Sequence, residues 1–143
     1  MKWLLLVCLV VIGTLVVAGC GGDGSPTTST TTSPTTSTPA GQTFGQLSAA
    51  GQTVFAAKCS PCHGAQGQGV TAPALWGANA NLAKYNTAQG LLSFISVNMP
   101  FNAPGSLSHQ DYLNVLAYLL IQNNDVTSST AFSESGLGGI TLK

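Results

Sequence analysis

Hydrophobic and polar positions divide this chain into three stretches with different patterns. From Trp3 to Ala18 it is apolar, broken only by Gly13 and Thr14. Residues 21–40 are almost all Gly, Asp, Ser, Pro and Thr, with no large apolar side chain from which a core could be built. From Gly41 onward, apolar residues recur at helical spacing. Leu47, Ala50, Val54 and Phe55 predict a helix over 47–58, and Leu91, Leu92, Phe94 and Ile95 predict one over 87–97. Tyr112, Leu113, Val115, Leu116, Tyr118, Leu119, Leu120 and Ile121 predict a helix over 111–122 that is buried on most sides. Gly64, Gly67 and Gly69 predict a loop over 64–70. Ser108 followed by Asp111 reads as a helix N-cap with an acidic residue at its third position. No stretch carries a strand pattern, so the expected class is all-α.

The three stretches set the expected domain organisation. Lys2, the apolar run and the small residues after it have the layout of an export signal over 1–19. Val17-Ala18-Gly19-Cys20 resembles the lipobox of bacterial lipoproteins. That resemblance implies cleavage before Cys20 and a lipid on its thiol. The competing reading is an uncleaved anchor, but spanning a bilayer takes about 20 apolar residues and this run is shorter. Residues 20–40, with Pro26, Pro34 and Pro39 among threonines, read as a disordered, extended linker holding a domain off the membrane. Residues 41–143 then form one domain of about 100 residues. A domain of that size has a limited core and is often supported by a staple or a cofactor. The expected location is extracytoplasmic, on a bacterial cell membrane, with membrane attachment through Cys20.

Charge narrows the partners. Lys58, Lys84 and Lys143 face Asp111, Asp125 and Glu134 in the domain, and the chain has no arginine. No basic patch exists to neutralise phosphates, so nucleic-acid binding is not expected. Docking to any partner would rest on apolar and polar contacts rather than electrostatic steering.

Of the four cysteines, Cys8 leaves with the signal and Cys20 takes the lipid. The other two lie in Cys59-Ser60-Pro61-Cys62-His63. C-x-x-C-H is the attachment signature of a c-type haem. Two thiols must reach two vinyl groups on one edge of the porphyrin, and one helical turn of separation puts them on the same side. The histidine directly after the second cysteine supplies an imidazole to the iron. A redox disulfide of the thioredoxin type would want an α/β pattern around it, and none is present. A zinc site needs four ligands. The domain has only His63 and His109 as histidines and no second cysteine pair. The export signal adds weight, because c-type attachment takes place outside the cytoplasmic membrane.

A low-spin haem iron needs a second axial ligand. Apart from the initiator, Met99 is the one methionine, placed between Asn98 and Pro100 ahead of a loop containing Gly105 and Pro104. A thioether there can serve the iron, where a lone methionine otherwise fills gaps in a core. His109 falls in the first turn of the last helix and reads as a solvated residue.

Over residues 45–123 the chain resembles class I monohaem cytochromes c. The resemblance implies N- and C-terminal helices crossing near right angles, with Gly51 and Phe55 meeting Val115 and Tyr118, and a haem in an apolar crevice. It implies that the Pro73 carbonyl accepts the proton of the ligating His63. It also identifies Met99 with the family's ligand methionine. The runs 99–107 and 115–120 look closest to cytochrome domains that take electrons from periplasmic dehydrogenases. Trp76 and Phe101 are candidate pocket walls or ordinary core.

The function expected is a one-electron carrier, a monomer with one covalent haem c and its iron. Cys59, Cys62, His63 and Met99 hold the haem, and His63 and Met99 hold the iron. Its partners would be redox proteins: a dehydrogenase, an oxidase or a membrane complex. No catalytic residue is expected. The alternatives are a haem subunit of a larger oxidoreductase, or a haem enzyme or gas sensor with an open iron site.

Overall fold

Among the described residues, the three helices longer than two turns each start where a hydroxyl side chain can satisfy a free backbone N–H group. The computed structural model describes residues 41–143. The signal, Cys20 and the 20–40 linker lie outside the described residues. Helix α1 (Phe44–Lys58) begins three residues before the first apolar position of its period. Thr43 and Gln46 explain the difference through a reciprocal capping box. The Thr43 hydroxyl accepts the Gln46 N–H at 3.4 Å, and Gln46 Oε1 accepts the Thr43 N–H at 2.9 Å.

A one-turn helix, α2 (Ser60–His63), follows at once and stops at Gly64. Helix α3 (Ala88–Asn98) is capped by Thr87, whose hydroxyl accepts the Gly90 N–H at 3.2 Å. Helix α4 (His109–Gln122) is capped by Ser108, as its sequence predicts. The Ser108 hydroxyl accepts the Asp111 N–H at 3.1 Å and donates to Asp111 Oδ2 at 2.8 Å. Short 3-10 turns occupy Ala83–Tyr85 and Glu134–Gly139. The only extended pairing among the described residues is two isolated bridges, so the all-α expectation holds.

Every residue from Tyr112 to Leu120 is buried, because α1 and α3 pack against α4, while the C-terminal 3-10 turn packs on α3 and joins the same core. The tightest point of the fold is where α1 meets α4. A Cβ on Gly51 would collide with the Asn114 carbonyl and come within 3.0 Å of Tyr118 Cβ. One turn further on, Phe55 stacks on Tyr118 with ring centroids 5.3 Å apart. Gly51 and Phe55 therefore meet Tyr118 as the resemblance implies. Gly51 lies against the backbone of Asn114, however, while Val115 lines a cavity on α4. Asn114, polar and buried, has its side-chain Oδ1 accept from Gln110 Nε2 at 3.0 Å.

The segment after α4, which the sequence leaves undecided, folds back and packs. Phe132, Leu137 and Leu142 are buried in the core. Phe132 meets Phe44 edge-on at 5.2 Å. The backbone of this segment also supplies what two helix starts lack, since the first N–H groups of any helix have no partner within it. Thr130 O accepts from Phe44 N at 2.9 Å, Ser128 O from Gly45 N at 2.9 Å, and Ile140 O from Ala88 N at 2.9 Å. Asp125 Oδ1 accepts the Lys143 N–H at 3.1 Å. Burial pushes the Asp125 carboxyl above its ordinary pKa, and the Lys143 N–H and charge pull the other way.

Two of these contacts can be weighed by urea unfolding followed by circular dichroism. Leu137→Ala empties a fully buried site and should lower stability by about 2–5 kcal/mol. Gly51→Ala forces α1 off α4 and should lower it by about 1–3 kcal/mol. Gly138→Ala, whose new methyl meets nothing within 4 Å, should stay within about 0.5 kcal/mol of wild type.

Candidate functional site

The chemistry-bearing residues sit where α1 runs into α2. Cys59 ends α1, with its N–H on Phe55 O at 2.9 Å, and its own carbonyl accepts from Cys62 N at 3.2 Å and His63 N at 3.0 Å. One tight turn thus separates the two thiols and delivers His63 directly after them. Both cysteines are free, Cys59 half-buried and Cys62 exposed. Burial, with Cys62 adding to it, pushes the Cys59 thiol up to about 11. A redox Cys-x-x-Cys works through a depressed thiol pKa, and burial moves Cys59 the other way.

The loop after α2 is built around the same turn. Cys62 O accepts from Val70, Thr71 and Ala72 at 3.0–3.2 Å, and His63 O accepts from Gly69 at 2.7 Å. Gly67 has a φ of +58° and lies under the Trp76 ring, in a place no side chain could share. The loop then turns so that Pro73 O lies 2.7 Å from His63 Nδ1. A carbonyl only accepts, so Nδ1 carries the proton and Nε2 keeps its lone pair. This is the contact implied at the sequence level. Asn123 Nδ2 holds the far end of the loop against α4 by donating to Leu75 O at 3.0 Å and Leu119 O at 2.8 Å.

His63, Cys59 and Cys62 line a cavity of about 480 Å³, and Met99 lines it too. Met99 ends α3, with its N–H on Ile95 O at 3.0 Å. The walls are mostly apolar: Phe55, Leu82, Leu91, Ile95, Val115 and Leu119 among them. Among the described residues, Lys58 and Lys84 are the only charged side chains on the lining, and no carboxylate joins them. Phe101 also lines the cavity, at 84% exposure, so it stands at the mouth. Trp76 does not line it. Its ring packs between Phe55 and Tyr118, with centroids 5.2 and 5.7 Å away, behind the cavity wall. His109 lies outside the cavity and pairs with Glu134 at 3.0 Å on the surface.

The donor set fits a haem. It combines two thiols one turn apart, an imidazole with Nδ1 committed and Nε2 free, a thioether, and apolar walls of the kind that enclose a large ring system. Sequence reading missed two supports. Asn123 gave no signal beyond its place at a helix end. The Tyr112 hydroxyl donates to Met99 O at 2.6 Å and lies 3.5 Å from the Leu107 N–H. The available hint was its chemistry, since a buried tyrosine usually finds a partner for its hydroxyl.

Comparisons with known proteins bear on the family and the fold. A thiosulfate dehydrogenase from Stutzerimonas stutzeri is 38% identical over 82 residues, covering 50% of this chain and 26% of that enzyme. The chain therefore spans about a quarter of that relative. A cytochrome c-553-like protein from Synechocystis is 32% identical over 69 residues, covering 48% of this chain and 66% of the relative. Among solved structures, the sulfane dehydrogenase SoxCD of Paracoccus pantotrophus aligns with a TM-score of 0.59 at 24% identity. That alignment covers 66% of this chain and 52% of the other, and it speaks for the fold. The cytochrome c family pattern matches residues 48–122, more than half of the chain. The protein belongs to the cytochrome c family, with a covalently bound haem c and its iron as cofactor and electron transfer as its role.

Proposed function

We propose that this protein is a one-electron carrier whose haem is attached through Cys59 and Cys62 and ligated by His63 Nε2 and Met99 Sδ. The observation that carries the reading is the 2.7 Å contact from His63 Nδ1 to Pro73 O, made beside a cavity that all four residues line. The haem supplies a reversible one-electron couple. The chain's part is to hold it. The turn Cys59–His63 fixes two thiols and an imidazole together, and the Pro73 carbonyl fixes the imidazole's tautomer and raises its basicity as a ligand. The apolar walls keep water from the ring, and a low-dielectric, thioether-ligated site favours the ferrous state, hence a high potential for a haem.

The lining supports a carrier over an enzyme. General acid–base chemistry needs a titratable side chain positioned at the reacting group. Among the described residues the lining includes no carboxylate, its one histidine donates to Pro73, and the hydroxyl of Tyr112 is committed to Met99 O, which leaves Lys58, Lys84 and Tyr85 as its other titratable oxygen and nitrogen groups. The partner is a redox protein, whether a dehydrogenase, an oxidase or a membrane complex. Likeness to part of a thiosulfate dehydrogenase supports the second reading, a haem subunit within a larger oxidoreductase. The sequence of residues 1–40 supports a location outside the cytoplasm, with Cys20 lipidated and the Thr/Pro-rich stretch as a spacer.

Covalent attachment is checked by haem staining of a denaturing gel. Wild type should stain, and the double variant Cys59→Ser with Cys62→Ser should not; staining of the double variant would refute the attachment. Met99→Ala should abolish the sulfur-to-iron absorption band of the ferric protein and let the ferrous protein bind carbon monoxide. A high-spin wild type that binds carbon monoxide readily would rule out the carrier. With two lysines as the lining's only charges, electron-transfer rates to a redox partner should change less than about three-fold between 10 and about 150 mM salt. Stopped-flow mixing measures this.

A further inference from the structure

The segment that follows Met99 has little of its own to hold it. Phe101 to Ser106 are all exposed, Gly105 has a φ of +71°, and Phe101 points its ring to solvent at 84% exposure. The internal bonds of the loop are two: Ala103 N to Pro100 O at 2.8 Å and Ser106 N to Ala103 O at 3.3 Å. Neither touches the Met99 peptide groups.

The Met99 carbonyl is held from α4. Tyr112 is 4% exposed, and its hydroxyl donates to Met99 O at 2.6 Å. The same oxygen lies 3.5 Å from the Leu107 N–H, a longer contact at the other end of the loop. Met99 N–H is already fixed on Ile95 O. With both its N–H and its C=O engaged, Met99 has its two flanking peptide planes set, and those planes fix the direction in which its side chain leaves the backbone. Tyr112 itself lines the cavity beside Met99. We infer that Tyr112 is a positioning residue that ties both ends of the 99–107 loop to α4 and thereby sets how firmly Met99 stays on the iron. The inference rests on the reading of Met99 as an iron ligand.

The removal of one hydroxyl tests it, on the haem-loaded full chain. Tyr112→Phe keeps the ring in the core and deletes the bond to Met99 O. The ferric variant should lose intensity in the sulfur-to-iron band, and the ferrous variant should bind carbon monoxide about five- to ten-fold more tightly, the factor expected from one lost hydrogen bond. Tyr118→Phe removes the other hydroxyl of the buried α4 face, in contact with Phe55 and away from the loop, and should leave both readings unchanged. A purely structural role for Tyr112 would lower thermal stability without moving either. If Tyr112→Phe matches wild type in band and carbon monoxide affinity, the inference is overturned. If that variant does not fold, proton NMR of the ferrous wild type decides. A slowly exchanging Tyr112 hydroxyl proton close to Met99 supports the inference, and its absence overturns it. Met99→Ala separates the two levels. An unchanged band there removes the ligand reading itself, and the Tyr112 inference falls with it. A lost band there with an unaltered Tyr112→Phe removes the Tyr112 inference alone.

Discussion

The backbone of α1 rests on the Asn114 carbonyl of α4 at Gly51, and the placement of the Cys59–His63 turn against the α4 wall of the cavity follows from that contact. Helices approach this closely only where one of them lacks a Cβ. With the crossing fixed, Cys59 comes eight residues later along a rigid rod, about 12 Å from the contact at 1.5 Å per residue. Val115 and Leu119 are fixed on the other rod, facing the cavity. The relative placement of thiols and cavity wall is therefore set by packing between two helices, not by the loops that complete the site. Phe55, Tyr118 and Trp76 fill the wedge next to the crossing, which makes it an aromatic joint as well as a close backbone approach.

The loops serve a different purpose, which is to aim. Pro73 reaches His63 only because Gly67 and Gly69, both at positive φ, let the chain double back on Cys62 O and His63 O. On the other side of the cavity, Met99 is the last residue to follow α3, where a helical bond to Ile95 still controls it. One donor is thus held by a loop wrapped around it and the other by the end of a helix. The walls between them carry little charge, so the site is electrostatically quiet apart from Lys58 and Lys84.

Much of this was legible in the order of residues, for reasons that can be named. The period of Leu91, Leu92 and Ile95, and the long apolar run from Tyr112, reported helices because buried faces impose them. Cys59, Cys62 and His63 were legible because their chemistry fixes their spacing. Gly51 was legible through resemblance, though its partner turned out to be the main chain of Asn114, which no side-chain pattern encodes. Trp76 was ambiguous because an indole fits a cavity wall and a core equally well, and only packing against Phe55 and Tyr118 distinguishes them. The return of the 125–143 segment was illegible for a similar reason. Its bonds to Phe44, Gly45 and Ala88 use backbone carbonyls, and its buried residues, Phe132, Leu137 and Leu142, are too widely spaced to show a period.

That returning segment joins places far apart in the chain. Phe44 is bonded to Thr130 and Ala88 to Ile140, while the turn that carries Cys59, Cys62 and His63 is made from bonds between near neighbours. Contacts between distant residues must overcome the entropy of closing a long loop, a cost that local ones largely escape. The attachment turn is therefore a local structure that can take shape while the domain is still open at its seam. By supplying partners to two helix starts at once, the seam ties helices that would otherwise fray separately into a single cooperative unit.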